Sequence, residues 1–454
     1  MTTAVGLPER LRRWSAPLVA LLACSLGLSC SVSLPHAVRD LDALVEVDDR
    51  FVGWVGAASM LSLLVAAVVI LLSGRVGSGP ALTLSVAAAL FGLTLAGDVV
   101  SGAQLTLSLL LLGIGSGGLV AGSLSMAMEL PRGWARLTLM AWSIPLAVAW
   151  PVLAWLSARG RGGTGNAALA VHPAGWLVAG VAVVIALWSV ASMLLGPTRL
   201  GPSPAEPWQD AWSVLGLACG VALLMVMLLG FDSGIGASWL RPVVLVTSGL
   251  VAGGWVWISM LIPDPQARLA FVASAVVAAT LPSLTQLLIL AADAGEQRVE
   301  GWWLLGLMAA ALVGAFLGWR LPAARVVPSG LMLYALAAAG AWVVPGRPWV
   351  LTCLAAPLVA AAAAVLVASL NRCYQSRTAL RLVGLAIMAA SSLGLVLALP
   401  FTWSVSGDLA QLTTSVDEVR AMARVLLGLT FSASVLASAY AWILSSRLRL
   451  PTLP

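Results

Sequence analysis

Apolar residues gather into fourteen stretches, at 16–35, 52–73, 80–96, 105–128, 137–156, 174–195, 212–230, 242–262, 269–290, 301–319, 326–344, 349–370, 382–401 and 425–444. Each is close to the roughly 20 residues that a helix needs to cross the hydrocarbon of a bilayer. Charged residues collect between them and are almost absent within them. The pattern predicts an all-α polytopic membrane protein with fourteen transmembrane helices. Composition agrees: a chain that is 61% hydrophobic and 9% charged cannot hide its apolar surface in a water-soluble core and takes lipid as its solvent.

Charge sets the orientation. With the N-terminus in the cytoplasm, the inside loops hold fifteen of the twenty-four basic residues, all of them arginine, and five of the eighteen acids. Arginine bias governs insertion, so both termini are predicted to be cytoplasmic, in a multi-pass protein of a bacterial inner membrane. The net charge of +6 is scattered over short loops rather than gathered on one face, which excludes a nucleic-acid partner. Four of the five cysteines, Cys24, Cys30, Cys219 and Cys353, fall within spans and Cys373 in an inside loop; they are expected to be small buried hydrophobes without disulfides. Arg10 to Arg13 followed by Leu21-Leu22-Ala23-Cys24 is similar to a lipoprotein signal, but the apolar run continues past the cysteine to Leu34, so the first span is kept as a membrane helix.

Two parts of the chain repeat one plan. The span 105–128, rich in glycine and alanine, leads through a polar loop, 129–136, to a span holding Pro145 and Pro151. The alanine-rich span 349–370 leads through 371–381 to a span with small residues at 389–394. Arginine turns recur as well, Ser73-Gly74-Arg75-Val76-Gly77 after the second span and Gly318-Trp319-Arg320-Leu321-Pro322 with Arg325 after the tenth. Duplicated halves are a common plan of transporters. The predicted organisation is 6+2+6: a six-helix bundle at 1–200, an inserted two-helix hairpin at 201–266 and a second six-helix bundle at 267–454.

At these residues the chain resembles the major facilitator superfamily, and within it the fourteen-helix drug/proton antiporter branch. Val32-Ser33-Leu34-Pro35 is similar to the end of the family's first-helix signature and Trp54-Val55-Gly56-Ala57-Ala58 to the start of its second helix. The two arginine turns resemble its cytoplasmic loop signature, and 291–325 and 402–424 resemble the matching regions of the second half. The signatures are degraded. Leu26 stands where the resemblance implies an acid, Ser31 where it implies asparagine, and Leu109 or Leu111 where it implies arginine. The turn after the second span lacks aspartate, and the fifth-span signature is reduced to Trp150-Pro151 with Ala154-Trp155. The resemblance implies alternating access and proton antiport; the missing carboxylate argues against the usual route for protons.

The polar groups left inside the spans are neutral. Ser25, Ser29 and Ser33 fall at i, i+4 and i+8 on the first span, and Thr280, Ser283 and Gln286 at i, i+3 and i+6 on the ninth, with Pro282 between them. These six are the candidate lining of a substrate cavity, the first helix of each half facing the cavity by the resemblance; the alternative is bonding to their own helix backbone. Asp98, at the outside end of the third span, is the candidate coupling group or else a carboxylate wetted at the interface. His36 and His172, at outside edges, read as interfacial anchors or as sensors of external pH. Gly113 with Gly117, Gly118 with Gly122, Gly216 with Gly220 and Gly249 with Gly253 are spaced for close helix packing. Trp142, Trp150, Trp188, Trp255 and Trp257 fit packing, lipid or a cavity. No residue spacing suggests a metal site, a cofactor or a catalytic triad, so no enzyme is expected. The function read from these features is a secondary transporter exporting a mostly apolar, neutral small molecule. The rival is a transporter-like scaffold that serves a protein partner without transporting.

Overall fold

A computed structural model describes residues 7–42, 50–97, 101–159, 175–194, 215–216, 218–222, 246, 250, 254–255, 257–260, 262, 264–294, 301–343, 348–374, 376–406 and 416–447. Twelve helices run through them: α1 (Leu7–Asp42), α2 (Arg50–Val76), α3 (Ser78–Gly97), α4 (Gly102–Glu129), α5 (Arg132–Arg159), α6 (Gly175–Leu194), α7 (Pro265–Ala294), α8 (Gly301–Arg320), α9 (Ala323–Val343), α10 (Pro348–Cys373), α11 (Arg377–Ser406) and α12 (Val416–Arg447). Helix is the form that satisfies every backbone polar group within one segment, which lipid demands. Among the described residues, six segments are long and apolar enough to cross a membrane: Glu9–Cys30, Gly56–Ser73, Ser78–Ala96, Gly102–Glu129, Ala323–Gly340 and Cys353–Cys373. The hairpin expected at 201–266 lies mostly outside the described residues.

The chain divides into two compact units, Met1–Pro145 with Gly162–Val251, and Leu146–Arg161 with Ala252–Pro454. In the first, α4 is the central helix and packs against α1, α2 and α3, while α6 lies on α3 and α1. In the second, α10 packs against α7, α8 and α9, and α12 lies on α9 and α7. Helices α1, α2, α3, α4 and α6 therefore have counterparts six places on that share their main neighbours.

Glycine lets α4 occupy its centre. A Cβ added at Gly113 would run into the Ala58 carbonyl of α2, and one at Gly117 into the Ser62 carbonyl. On the adjacent face, a Cβ at Gly118 would strike the Ser85 hydroxyl of α3 and one at Gly122 would stand 2.9 Å from Leu82 Cδ2. The i, i+4 spacing thus makes two flat strips, one for each neighbour. The second unit exchanges the roles: Gly314 and Gly318 lie on α8, against the carbonyls of Ala360 and Ala364 on alanine-rich α10. A Cβ at Gly216 would meet nothing within 4 Å among the described residues; Gly249 and Gly253, its expected partners, are outside them.

The turn between α2 and α3 needs Gly77, whose φ of 82° lies in the left-handed region and whose N–H donates to the Ser73 carbonyl at 3.1 Å. Gly77→Ala is expected to lower stability by about 1 kcal/mol. Gly133→Ala, on a helix with open space at its Cβ position, should be neutral; thermal melts of the two purified variants compare them.

Three cysteines, Cys24, Cys30 and Cys373, are buried as expected, but Cys219 and Cys353 are exposed. An apolar helix surface facing lipid accepts a thiol as readily as a core does, so burial was not required of them. Trp142 is fully buried and donates from Nε1 to the Val120 carbonyl at 3.0 Å, which ties α5 to α4. Trp257 is exposed, and Trp255 packs against Phe271.

Candidate functional site

The first helix of the first unit carries an uncovered stripe. Leu11, Trp14 and Leu18 are 62%, 71% and 57% exposed, and Ser25, half-buried, and Ser29, exposed, continue the same face toward the far end. Positions 11, 14, 18, 25 and 29 keep helical register, so this is one surface rather than scattered side chains. The opposite face is buried, with Val19, Ala23, Cys24 and Leu26 in the core. Leu26, where an acid was the implied residue, is therefore a packing residue.

The Ser29 hydroxyl donates to the Ser25 carbonyl at 2.8 Å, leaving its oxygen lone pairs open on the exposed side. Ser33 lies on α1 with its side chain outside the described residues. In the second unit Thr280, half-buried on α7, donates to the Val276 carbonyl at 2.8 Å and meets the hydroxyl of fully buried Tyr334 on α9 at 2.9 Å. Both bonds are satisfied when Tyr334 donates to Thr280, which makes this pair a tie between α7 and α9. Tyr334 was not singled out in the sequence, where one tyrosine in an apolar run looks like any other aromatic core residue. Ser283 and Gln286 lie further along α7 and their side chains, like Asp98 as a whole, fall outside the described residues. Most other interior hydroxyls bond within their own helix, as Ser123, Ser125 and Ser143 do to carbonyls three and four residues back.

Sequence reasoning counted the end charges only for orientation and missed what they build. In the first unit the Arg12 guanidinium of α1 pairs with Glu129 at the end of α4 at 2.9 Å, the two side chains being 9% and 18% exposed. The other Glu129 oxygen, Oε1, accepts the backbone N–H of Ser78 at 2.5 Å and so caps α3. Arg12 also lies over the Trp188 ring of α6, and Trp188 Nε1 donates to Ser15 at 3.0 Å. One ion pair thus fastens four helix ends.

The second unit has a pair at the equivalent place with its polarity exchanged. Asp264, just before α7, accepts from Arg372 near the end of α10 at 2.9 Å. Asp264 also accepts the Gln266 N–H at 3.0 Å, and Arg268 donates to the Ile262 carbonyl at 3.1 Å. The carboxylate sits in each unit where a helix N-terminus needs an acceptor: at α3 in the first, at α7 in the second. Acids and bases at the two ends of spans, once the repeat is aligned, were the available signal. Among the described residues no group of three metal-ligating side chains is found.

No family model and no curated relative matches the chain. Solved structures do. A mutant of the peptide transporter POT superposes with a TM-score of 0.58 at 16% identity, covering 98% of this chain and 96% of that one. FucP, a major facilitator superfamily transporter in the outward conformation, gives 0.54 at 13% identity over 93% and 98%. XylE, the proton:xylose symporter of the same superfamily, gives 0.51 at 15% over 96% and 96%. Likeness at this level of identity carries architecture rather than activity: the chain has an all-α, polytopic membrane fold like that of these transporters.

Proposed function

We propose that this chain is a secondary carrier of a bacterial inner membrane, with both termini in the cytoplasm, that exports a mostly apolar small molecule by alternating access. The observation that carries the reading is the uncovered face of α1. It offers an apolar band at Leu11, Trp14 and Leu18 and a hydroxyl band at Ser25 and Ser29 on a helix that is otherwise built into the core. Such a surface suits a solute with few charges, because a multiply charged one would lose its hydration without a matching partner. We place the rest of the cavity lining at Ser33 and, on the equivalent helix of the second half, at Ser283 and Gln286, with Thr280 as a support held by Tyr334. The organisation proposed is 1–200, a hairpin at 201–266 and 267–454, within the fourteen-helix antiporter branch.

Proton coupling through α1 is not part of the proposal, since Leu26 is buried at the position in question. Asp98 is the coupling group proposed instead. Flux into inverted vesicles under an imposed pH gradient tests both points. Gln286→Leu should cut flux at least tenfold in folded protein, and Asp98→Asn should abolish the dependence on the gradient. A variant pair that leaves gradient-driven flux at the wild-type level defeats both assignments. The absence of any flux, with stable copurification of one protein, turns the reading to the scaffold.

A further inference from the structure

The pair α1 with α5 in the first unit corresponds to α7 with α11 in the second. In the second, α11 packs along α7. In the first, the equivalent helices α1 and α5 meet through the rings of Trp14 and Trp134, whose centroids are 5.1 Å apart and tilted by 53°. Around that ring contact Leu11, Trp14 and Leu18 of α1 stand exposed and form an apolar surface.

Its inner rim is cationic. Arg10 lies one turn before Trp14 on the same face, and Arg132 is the first residue of α5; both are exposed and neither makes an ion pair among the described residues. The neighbouring charges are accounted for: Glu9 is taken by Arg13 and Glu129 by Arg12, and α5 has no acid in its first turn. Both arginines stand at the positive ends of their helices, where a cation is disfavoured unless an anion accompanies it. Tryptophan beside arginine over an apolar wall is the arrangement that receives a molecule with an anionic head and an apolar body.

We propose that the exposed start of α1 beside Trp134 binds an anionic amphiphile drawn from the bilayer, its apolar chain on Leu11, Trp14 and Leu18 and its head group at Arg10 and Arg132. This deepens the carrier reading by naming a class of solute. Binding can be measured without transport, so failure of one does not imply failure of the other.

The test is native mass spectrometry of the purified full chain titrated with phosphatidylglycerol, phosphatidylcholine or glycerol phosphate. Wild type should retain phosphatidylglycerol at least tenfold more tightly than phosphatidylcholine, and equimolar glycerol phosphate should not compete. Arg10→Gln with Arg132→Gln should remove that preference, while Arg10→Lys with Arg132→Lys keeps most of it. Arg320→Gln, which removes an exposed arginine stacked on Phe316 and Trp319 in the other unit, should leave the preference intact. Trp14→Ala should weaken both lipids alike. The proposal is overturned if the glutamine pair behaves as wild type or if Arg320→Gln loses the preference equally. Displacement by glycerol phosphate would also overturn it, showing a site for a free anion. A folded state is checked by thermal melting of each variant, and the glutamine and tryptophan variants test the site through different contacts.

Discussion

Gly117→Leu is expected to destabilise the first unit by about 3 kcal/mol or more, near the upper end of what overpacking costs. The first atom of the new side chain would already overlap the Ser62 carbonyl oxygen. A carbonyl fixed in a helix cannot swing aside as a flexible side chain can, so α2 as a whole must move away from α4. Gly118→Leu faces a softer neighbour, the Ser85 hydroxyl, with Val65 beyond it. That hydroxyl is held by its bond to the Ala81 carbonyl and sits in a buried position, so the loss should be large but smaller than at Gly117. Membrane abundance and thermal melts in detergent provide the ranking: Gly117→Leu lowest, Gly118→Leu next, Gly133→Leu near wild type. Normal abundance and stability for Gly117→Leu would mean that α2 and α4 are not in backbone contact.

Arg12→Ala is expected to lower stability by about 2–3 kcal/mol, below the 3–5 kcal/mol typical of a fully buried pair because Glu129 keeps some contact with solvent. The loss is mainly that of a half-buried carboxylate left without its counter-charge. Glu129→Ala should cost as much or more, since it strands Arg12 and also strips the cap from the Ser78 N–H. The second unit supplies the informative control, because its equivalent pair has the opposite polarity. If charge pairing alone mattered, Arg12→Glu combined with Glu129→Arg would restore wild-type stability. Only partial recovery is expected, roughly half, since an arginine at 129 turns a cation toward the N-terminus of α3. Full recovery would show that the cap contributes nothing; none would show that the local geometry tolerates one polarity only.

Much of this architecture was legible in order along the chain. Apolar runs of membrane-crossing length and the repeated turns are local properties, set by how many residues a helix needs to span hydrocarbon and by where the chain must turn back. The glycine strip of α4 was legible for the same reason: a four-residue spacing puts two glycines on one face wherever the helix goes. Its partners were not, since nothing in Gly113 and Gly117 says that α2 receives them while Gly118 and Gly122 receive α3. The strip on Gly314 and Gly318 was passed over because Gly318 also belongs to the arginine turn, and the turn explained it first.

The serine face of α1 was found by spacing, and the same spacing on α7 gave Thr280, whose hydroxyl is engaged with Tyr334 from a helix 54 residues away in sequence. Periodicity fixes which side chains share a face; it does not say what stands opposite. By itself, then, the sequence determined the all-α membrane character, the helix faces and the recurrence of one plan in two units, because each follows from composition and helical period. Tertiary structure alone decided which charges meet, at Arg12 with Glu129 and Asp264 with Arg372, and which face of α1 stays open. Those outcomes depend on helices distant in sequence arriving at one place, and a one-dimensional pattern holds no record of that distance.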